Sequence, residues 1–241
     1  MKYFDQTWPD PAANLAADEA LLELCEAGKF DAVLRFWEPT TYFVVVGYAN
    51  RAAREVNLDA CARDGIPVFR RCSGGGTVLQ GPGCLNYSLI LRIPETGASP
   101  LTSISSTNHH IMERNRAALE SVLSEPVEIL GHTDLAIGKL KFSGNSQRRA
   151  RRALLFHGSF LLNFDLAKIS ELLPLPSQQP CYRQNRPHSE FLTNLGLIAE
   201  QVKSALQAAW GAFDEFREIP EARICELAAE KYSQVSWNLR F

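Results

Sequence analysis

The sequence has no Cys-x-x-Cys pair; its six cysteines, at positions 25, 61, 72, 84, 181 and 225, are scattered. That spacing gives no support to a structural zinc site or a dithiol redox motif. There is no cationic leader and no long apolar run, because Met1 to Pro11 is polar and aromatic. Free thiols in a reducing cytoplasm, with no membrane partner, are therefore expected. A net charge of −2 argues against a general nucleic-acid binder. No repeat, low-complexity segment or linker divides the 241 residues. No Gly-x-x-x-x-Gly-Lys-Ser/Thr run is present, so a P-loop is excluded. The hydrophobic fraction of 46% and charged fraction of 22% are those of an ordinary globular chain, long enough to bury a substantial core.

What the chain does contain is Arg70-Arg71-Cys72-Ser73-Gly74-Gly75-Gly76-Thr77-Val78. Glycine lets backbone approach a ligand closely, and consecutive free N–H groups form an anion-binding concavity. Arginine adds forked, permanently charged donors for phosphate or carboxylate. Alone, the stretch reads first as a Gly-rich turn with two solvated arginines, so the case for an anion site rests on what accompanies it.

The order of elements sharpens this. A helix is expected from Asn14, as N-cap, to Cys25, stopped by Gly28. Strands are expected over 32–37, 42–47 and 66–70, with a helix over 52–64 between the last two. Strands 77–79 and 85–91 follow, joined by the turn Gln80-Gly81-Pro82-Gly83. The glycines thus lie between strands, which excludes a dinucleotide fingerprint as well. Further expectations are a helix over 106–124, short strands over 127–130 and 135–137, a strand over 153–162 and a helix over 166–172. Helices over 191–210 and 220–231, with a possible strand at 217–219, complete one mixed α/β domain spanning 1–241.

Four features stand together: the glycine loop, Asn86, the block Asp134…Lys141-Phe142-Ser143-Gly144-Asn145, and His157-Gly158-Ser159. Physically they suit acyl activation, in which N–H dipoles and cations meet charge developing at a phosphate. A lysine at a dry strand end can contact acyl carbonyl and phosphate together. Asp134 can ligate magnesium or orient that lysine. By residue type alone, Lys141 reads as a surface strand lysine reaching for water. His109 and His110 are adjacent and form no metal cluster.

These blocks resemble the lipoate–protein ligase family, which shares its catalytic fold with biotin protein ligases and octanoyltransferases. The matching pieces are Arg70 to Val78, Leu85-Asn86-Tyr87-Ser88, Asp134-Leu135, Lys141 to Gln147 and His157 to Leu162. Asn14 to Ala20 and Lys231-Tyr232…Ser236-Trp237-Asn238 extend the match. The resemblance implies a mixed, mostly antiparallel central sheet flanked by helices. It implies ATP and magnesium as cofactors, lipoate as substrate, and transfer through lipoyl-adenylate to a lysine of an acceptor such as an E2 lipoyl domain or a glycine-cleavage H-like protein. Arg70, Arg71, Gly74, Gly75, Gly76, Thr77 and Val78 would hold the adenylate, and Lys141 would bridge carbonyl and phosphate. Asn86 and Asp134 would be pocket or metal residues, His157 would support the loop, and Trp37, Tyr42 and Val44 would line the acyl tunnel. Gln80-Gly81 stands where family members often carry His-Asp. The larger ligases have an accessory C-terminal domain; none is expected here, so the chain works alone or with a separate subunit.

The sibling octanoyltransferases use a cysteine nucleophile and no ATP. One type places it shortly before the lysine block, where Val127 to His132 contains none. Another places it after the His-Gly strand, and Pro180-Cys181 approaches that pattern. Cys181 is therefore the alternative nucleophile, against the more common inert cysteine. A non-catalytic lipoyl- or nucleotide-binding subunit is the third reading. Arg148 to Arg152 reads as an exposed hairpin turn or as a docking patch for an acidic acceptor.

Overall fold

A computed structural model describes all 241 residues. In chain order the elements are β1 (Lys2–Asp5), α1 (Pro11–Glu26), β2 (Ala32–Trp37), β3 (Phe43–Val46), α2 (Ala52–Glu55), α3 (Leu58–Arg63), β4 (Val68–Arg70), β5 (Val78–Gln80), β6 (Cys84–Arg92), α4 (Ile104–Glu120), β7 (Val127–Leu130), β8 (Asp134–Ile137), β9 (Leu140–Arg149), β10 (Ala153–Leu161), α5 (Leu166–Leu172), α6 (His188–Phe191), α7 (Ala199–Trp210), β11 (Asp214–Glu215), α8 (Glu221–Leu227) and α9 (Val235–Asn238).

Eight strands form the main sheet in the order β11-β1-β2-β6-β10-β9-β8-β7, and β4-β3-β5 form a small second one. In the main sheet only the pairs of β1 are parallel; the rest are antiparallel. This is the mixed, mostly antiparallel sheet with flanking helices that the family resemblance implies.

Alternation along the central strands sorts the side chains. Leu85, Leu89 and Leu91 of β6, with Leu154, Phe156 and Phe160 of β10, join α4 and α7 in the largest core cluster. The opposite parity is polar in the middle. Cross-strand register lines up Arg35, Ser88, His157 and Ser146 in one row, and Trp37, Asn86, Ser159 and Gly144 in the next. Both rows lie under α1 and the small sheet, whose Leu15, Phe43 and Val45 pack with Trp37 of β2.

Several boundaries differ from the sequence reading. The first helix begins at Pro11, capped by Asp10, whose Oδ1 accepts from Ala12 N at 2.9 Å. Asn14 is a buried residue inside it; Asn14 Nδ2 donates to Trp8 O at 2.7 Å. The helix expected over 52–64 breaks at Val56, and Asn57 caps the second piece. Residues 192–198 are not helical, because Leu192 bridges to Lys141 and Thr193 N donates to Lys141 O at 3.0 Å. The late strand is Asp214–Glu215, not 217–219. No helix is long and apolar enough to cross a membrane.

Candidate active site

Lys141 enters the site from β9. The β8–β9 register shifts between Leu135 and Ala136, and such a bulge re-aims neighbouring side chains. Lys141 Nζ lies 2.8 Å from Asp134 Oδ1. Tyr182 OH donates to Asp134 Oδ2 at 2.8 Å. A Cβ at Gly144 would stand 2.8 Å from Nζ, so the glycine leaves the ammonium its place. The lysine is thus a side chain oriented by a carboxylate, not one reaching freely for water.

The glycine loop is held by its carbonyls. Arg71 Nη2 donates to Gly74 O at 2.6 Å and Gly76 O at 2.7 Å, and Ser146 Oγ donates to Gly74 O at 2.9 Å. The amide N–H groups of Gly74, Gly75, Gly76 and Thr77 donate to nothing within the protein. A loop fixed through its oxygens with its N–H groups free is suited to an anion. A Cβ at Gly47 would collide with Gly75 O, so that glycine permits the close approach.

The two arginines part company. Arg70 is fully buried, and its guanidinium donates to the carbonyls of Gly47, Tyr48, Asn50, Trp237 and Asn238. It lines neither cavity of the site. The expectation that Arg70 holds a ligand is corrected: it ties α9 to the exit of β3. Arg71 does border the inner cavity.

Behind the loop runs a buried chain of polar groups. Arg35 Nη1 donates to Asp18 Oδ1 at 2.6 Å, and Asp18 Oδ2 lies 2.9 Å from His157 Nδ1. His157 Nε2 and Ser73 Oγ share a 2.6 Å hydrogen bond. Arg71 Nε also donates to Ser73 Oγ, and the Asp18 carboxylate, an acceptor only, takes the Nδ1 proton of the imidazole. Burial by itself raises the Asp18 carboxyl; the Arg35 charge, with His157 and Ser88, holds it below the ordinary carboxylate range. Ser73 is 1% exposed, so this is a brace for the loop and not an accessible nucleophile.

Two cavities meet at Lys141. The inner one, about 170 Å³, is bordered by Leu15, Trp37, Val45, Val78 and Tyr87 and by the polar rows of the sheet. The outer cleft, about 870 Å³, opens past Gly75, Gly76 and Thr77 toward Arg51, Arg54, Arg183 and His188. Thr77, Val78, Asp134, Lys141 and Gly144 border both. Of the expected tunnel residues, Trp37 is in place. Val45 replaces Val44, whose side chain joins the core on the other face of β3. Tyr42 packs edge-on against Phe164 and is not in the cavity wall.

Asn86 borders the inner cavity, paired reciprocally with Gln80 at 2.9 Å in both directions. Ser159 Oγ joins at 2.5 Å from Asn86 Oδ1. Gln80, at the position that departs from the family pattern, is thereby a wall residue. Deeper still, Tyr87 OH donates to Asn145 Oδ1 at 2.6 Å and accepts from Asn115 Nδ2 at 2.8 Å.

No thiol borders the inner cavity. Burial pushes Cys72 and Cys84 up to about 12, so neither is a thiolate near neutrality. Cys181 is exposed on a short turn, Cys181–Arg183, and borders neither cavity. No three His, Cys, Asp or Glu side chains converge on a metal position. Both Asp134 oxygens are engaged by Lys141 and Tyr182. Of the two roles expected of Asp134, the geometry shows the orienting of Lys141; no cluster of acidic side chains joins it.

Within the arginine run, Arg148 donates to Cys72 O at 3.0 Å and Arg149 to Leu101 O at 2.6 Å. These two brace β9; Ala150 to Arg152 make the hairpin turn. Sequence reasoning missed Asp18, Arg35, Ser73 and Tyr182. The block Asn14 to Ala20 carried the first of these in plain view, but a helix periodicity does not announce a buried carboxylate.

This constellation has known counterparts. The lipoyl protein ligase A/B catalytic domain matches residues 10–209. An octanoyltransferase LipM from Halalkalibacterium halodurans is 26% identical over 275 aligned residues, covering 99% of this chain and 98% of that protein. A putative lipoate-protein ligase A from Aeropyrum pernix is 30% identical, over 95% of this chain and 88% of its own. The crystal structure of a lipoate-protein ligase A bound with ATP superposes with a TM-score of 0.82 at 25% identity, covering 99% of each chain. On a match of this extent, together with the shared fold, the chain belongs to the lipoyl protein ligase A/B catalytic domain family.

Proposed function

We infer that the protein is an ATP-dependent lipoate–protein ligase. The observation that carries this reading is the ammonium of Lys141, oriented by Asp134 at the junction of an apolar-ended cavity and a cationic cleft; no thiol borders the inner cavity, and Cys84, the one that borders the cleft, is held protonated by burial. The apolar end formed by Leu15, Trp37, Val45 and Val78 takes the acyl chain. The free N–H groups of Gly74 to Thr77, with Arg71 behind them, take the α-phosphate.

In the first step a carboxylate oxygen of lipoate attacks the α-phosphorus. The new P–O bond forms as the bond to the β-phosphate breaks, and pyrophosphate leaves with the electron pair. In the second, an acceptor lysine amine attacks the acyl carbonyl, the C–O bond to phosphate breaks, and AMP leaves as the amine gives up a proton. Charge grows on phosphate oxygens in the first step and on the carbonyl oxygen in the second. An ammonium fixed between them serves both. His157 and Asp18 keep the loop in register through Ser73.

The acceptor is a lysine-bearing lipoyl domain, met in the cytoplasm, with or without a separate accessory subunit. A cysteine-dependent octanoyltransferase is the second reading, favoured by the full-length similarity to LipM. Lipoate-dependent AMP release that Lys141→Ala removes and Cys181→Ser leaves intact supports the ligase. Transfer from octanoyl carrier protein without ATP, lost in Cys181→Ser, supports the transferase. Neither activity points to a binding subunit.

A further inference from the structure

Most arginines packed around the site have their donors or their charge met within the protein. Arg70 is used up on carbonyls. Arg186 donates to the carbonyls of Lys139, Tyr182, Arg183 and Glu190. Arg35 has one unpartnered nitrogen, Nε, but its charge is met by Asp18 at 2.6 Å. Arg183 is the exception. It is 4% exposed, borders the outer cleft, forms no ion pair, and its Nη2 has no hydrogen-bond partner. A buried cation with neither a counter-charge nor a full set of acceptors is costly to hold.

The side chain is nonetheless fixed. Its guanidinium lies 4.5 Å from the Phe191 ring centroid, and its Nε donates to Arg186 O at 3.0 Å. The chain turns immediately after it through Gln184 and Asn185, both left-handed at φ 53° and 58°. Left-handed backbone is uncommon outside glycine, and here it sets the turn that carries Arg183 against the cleft.

The rest of the cleft repeats the imbalance. Its fully charged lining residues are Arg51, Arg54, Lys141 and Arg183 against Glu55 and Asp134. The two carboxylates are already engaged, by Ser177 and by Lys141 and Tyr182. Burial, followed by the charges of Arg183 and Lys141, pushes His188 down to about 4, so it adds no charge at neutral pH. The same cleft is bordered by Gly75 to Thr77, whose amides are free. A cleft of one sign between low-dielectric walls concentrates anions.

We propose that the outer cleft is a diphosphate-binding subsite, with Arg183 as its principal cation. The inference rests on the ligase reading for the order of phosphates: α on the glycine loop beside Lys141, β and γ toward Arg183. Pyrophosphate is then the last group to occupy the subsite after adenylate formation. The same chemistry has a second possible source, the diphosphate of coenzyme A in an acyl thioester.

Isothermal titration of the full-length protein with sodium pyrophosphate, ATP, AMP and coenzyme A separates these, comparing wild type with Arg183→Gln and Arg183→Lys. Arg54→Gln, on the exposed lip, covers the case in which both Arg183 variants fail to fold. The expected result is that Arg183→Gln weakens pyrophosphate and ATP at least tenfold and AMP less than twofold, with Arg183→Lys intermediate; Arg54→Gln weakens pyrophosphate a few-fold. Equal losses for ATP and AMP, or unchanged pyrophosphate affinity in these variants, overturn the subsite. Binding of coenzyme A but not ATP, lost in Arg183→Gln, upholds the subsite and overturns the ligase reading. Binding of AMP with no pyrophosphate binding overturns the subsite and leaves the ligase reading standing.

Discussion

Asp134 Oδ1 holds Lys141 Nζ at 2.8 Å, from a strand that reaches β9 only across a bulge. The pair sits where the two cavities join. Replacing Asp134 by Asn keeps the hydrogen-bonding shape and removes the charge that orients the ammonium. We expect a tenfold or greater loss of kcat for adenylate formation, with lipoate KM changed less than threefold. Single-turnover measurement of AMP-ester formation reads the split.

Gly144 tests the same geometry sterically. A methyl group there would press on the lysine's ammonium end, not on backbone. Gly144→Ala should therefore fold with a stability change below about 1 kcal/mol, as expected where a flexible end can move aside, yet lose activity at least tenfold. A fully active, normally folded Gly144→Ala protein contradicts the placement of Nζ.

Much of this site was legible in the sequence, and the reasons differ by residue. Strand periodicity located β6 and β10, and a glycine run between strands excluded the common nucleotide motifs. Lys141 was legible only in company with its block, since a strand lysine alone points to water. Arg70 and Arg71 looked alike because adjacent residues of one type carry no mark of parity. Only the fold shows one facing α9 and the other the cavity. Asp18 stayed hidden because its partners, Arg35 and His157, are 17 and 139 residues away.

The buried brace makes a stability prediction. Asp18→Asn leaves Arg35, 0% exposed, without its counter-charge. Removing one partner of a buried ion pair costs about 3–5 kcal/mol. Urea denaturation should show that loss. His157→Gln, which keeps a hydrogen-bonding side chain, should cost less in stability than in nucleotide affinity.

Stability should also follow pH through His188. Its folded-state value is pushed down to about 4, chiefly by burial, so the unfolded chain binds more protons between about 4 and the ordinary histidine value near 6.5. Stability contributed by the neutral ring is complete above that window and is lost as pH falls through it. Melting temperature should rise with pH over this range in wild type and rise less in His188→Asn. An identical profile in both proteins contradicts a buried neutral His188.

Cys181 borders neither cavity. Cys181→Ser should retain ATP-dependent transfer within twofold, and alkylating the wild-type thiol should do no more. Mass spectrometry should find no acyl thioester on it during turnover.

The most direct test of the central claim is lipoate-dependent release of AMP and pyrophosphate by purified protein supplied with ATP and a lipoyl acceptor domain. Wild type should release both, and Lys141→Ala should be slower by about 10²–10³-fold, the loss typical when one transition-state charge stabiliser is removed. Undiminished product release in a folded Lys141→Ala protein, or acceptor modification by wild type with no ATP present, would contradict the account.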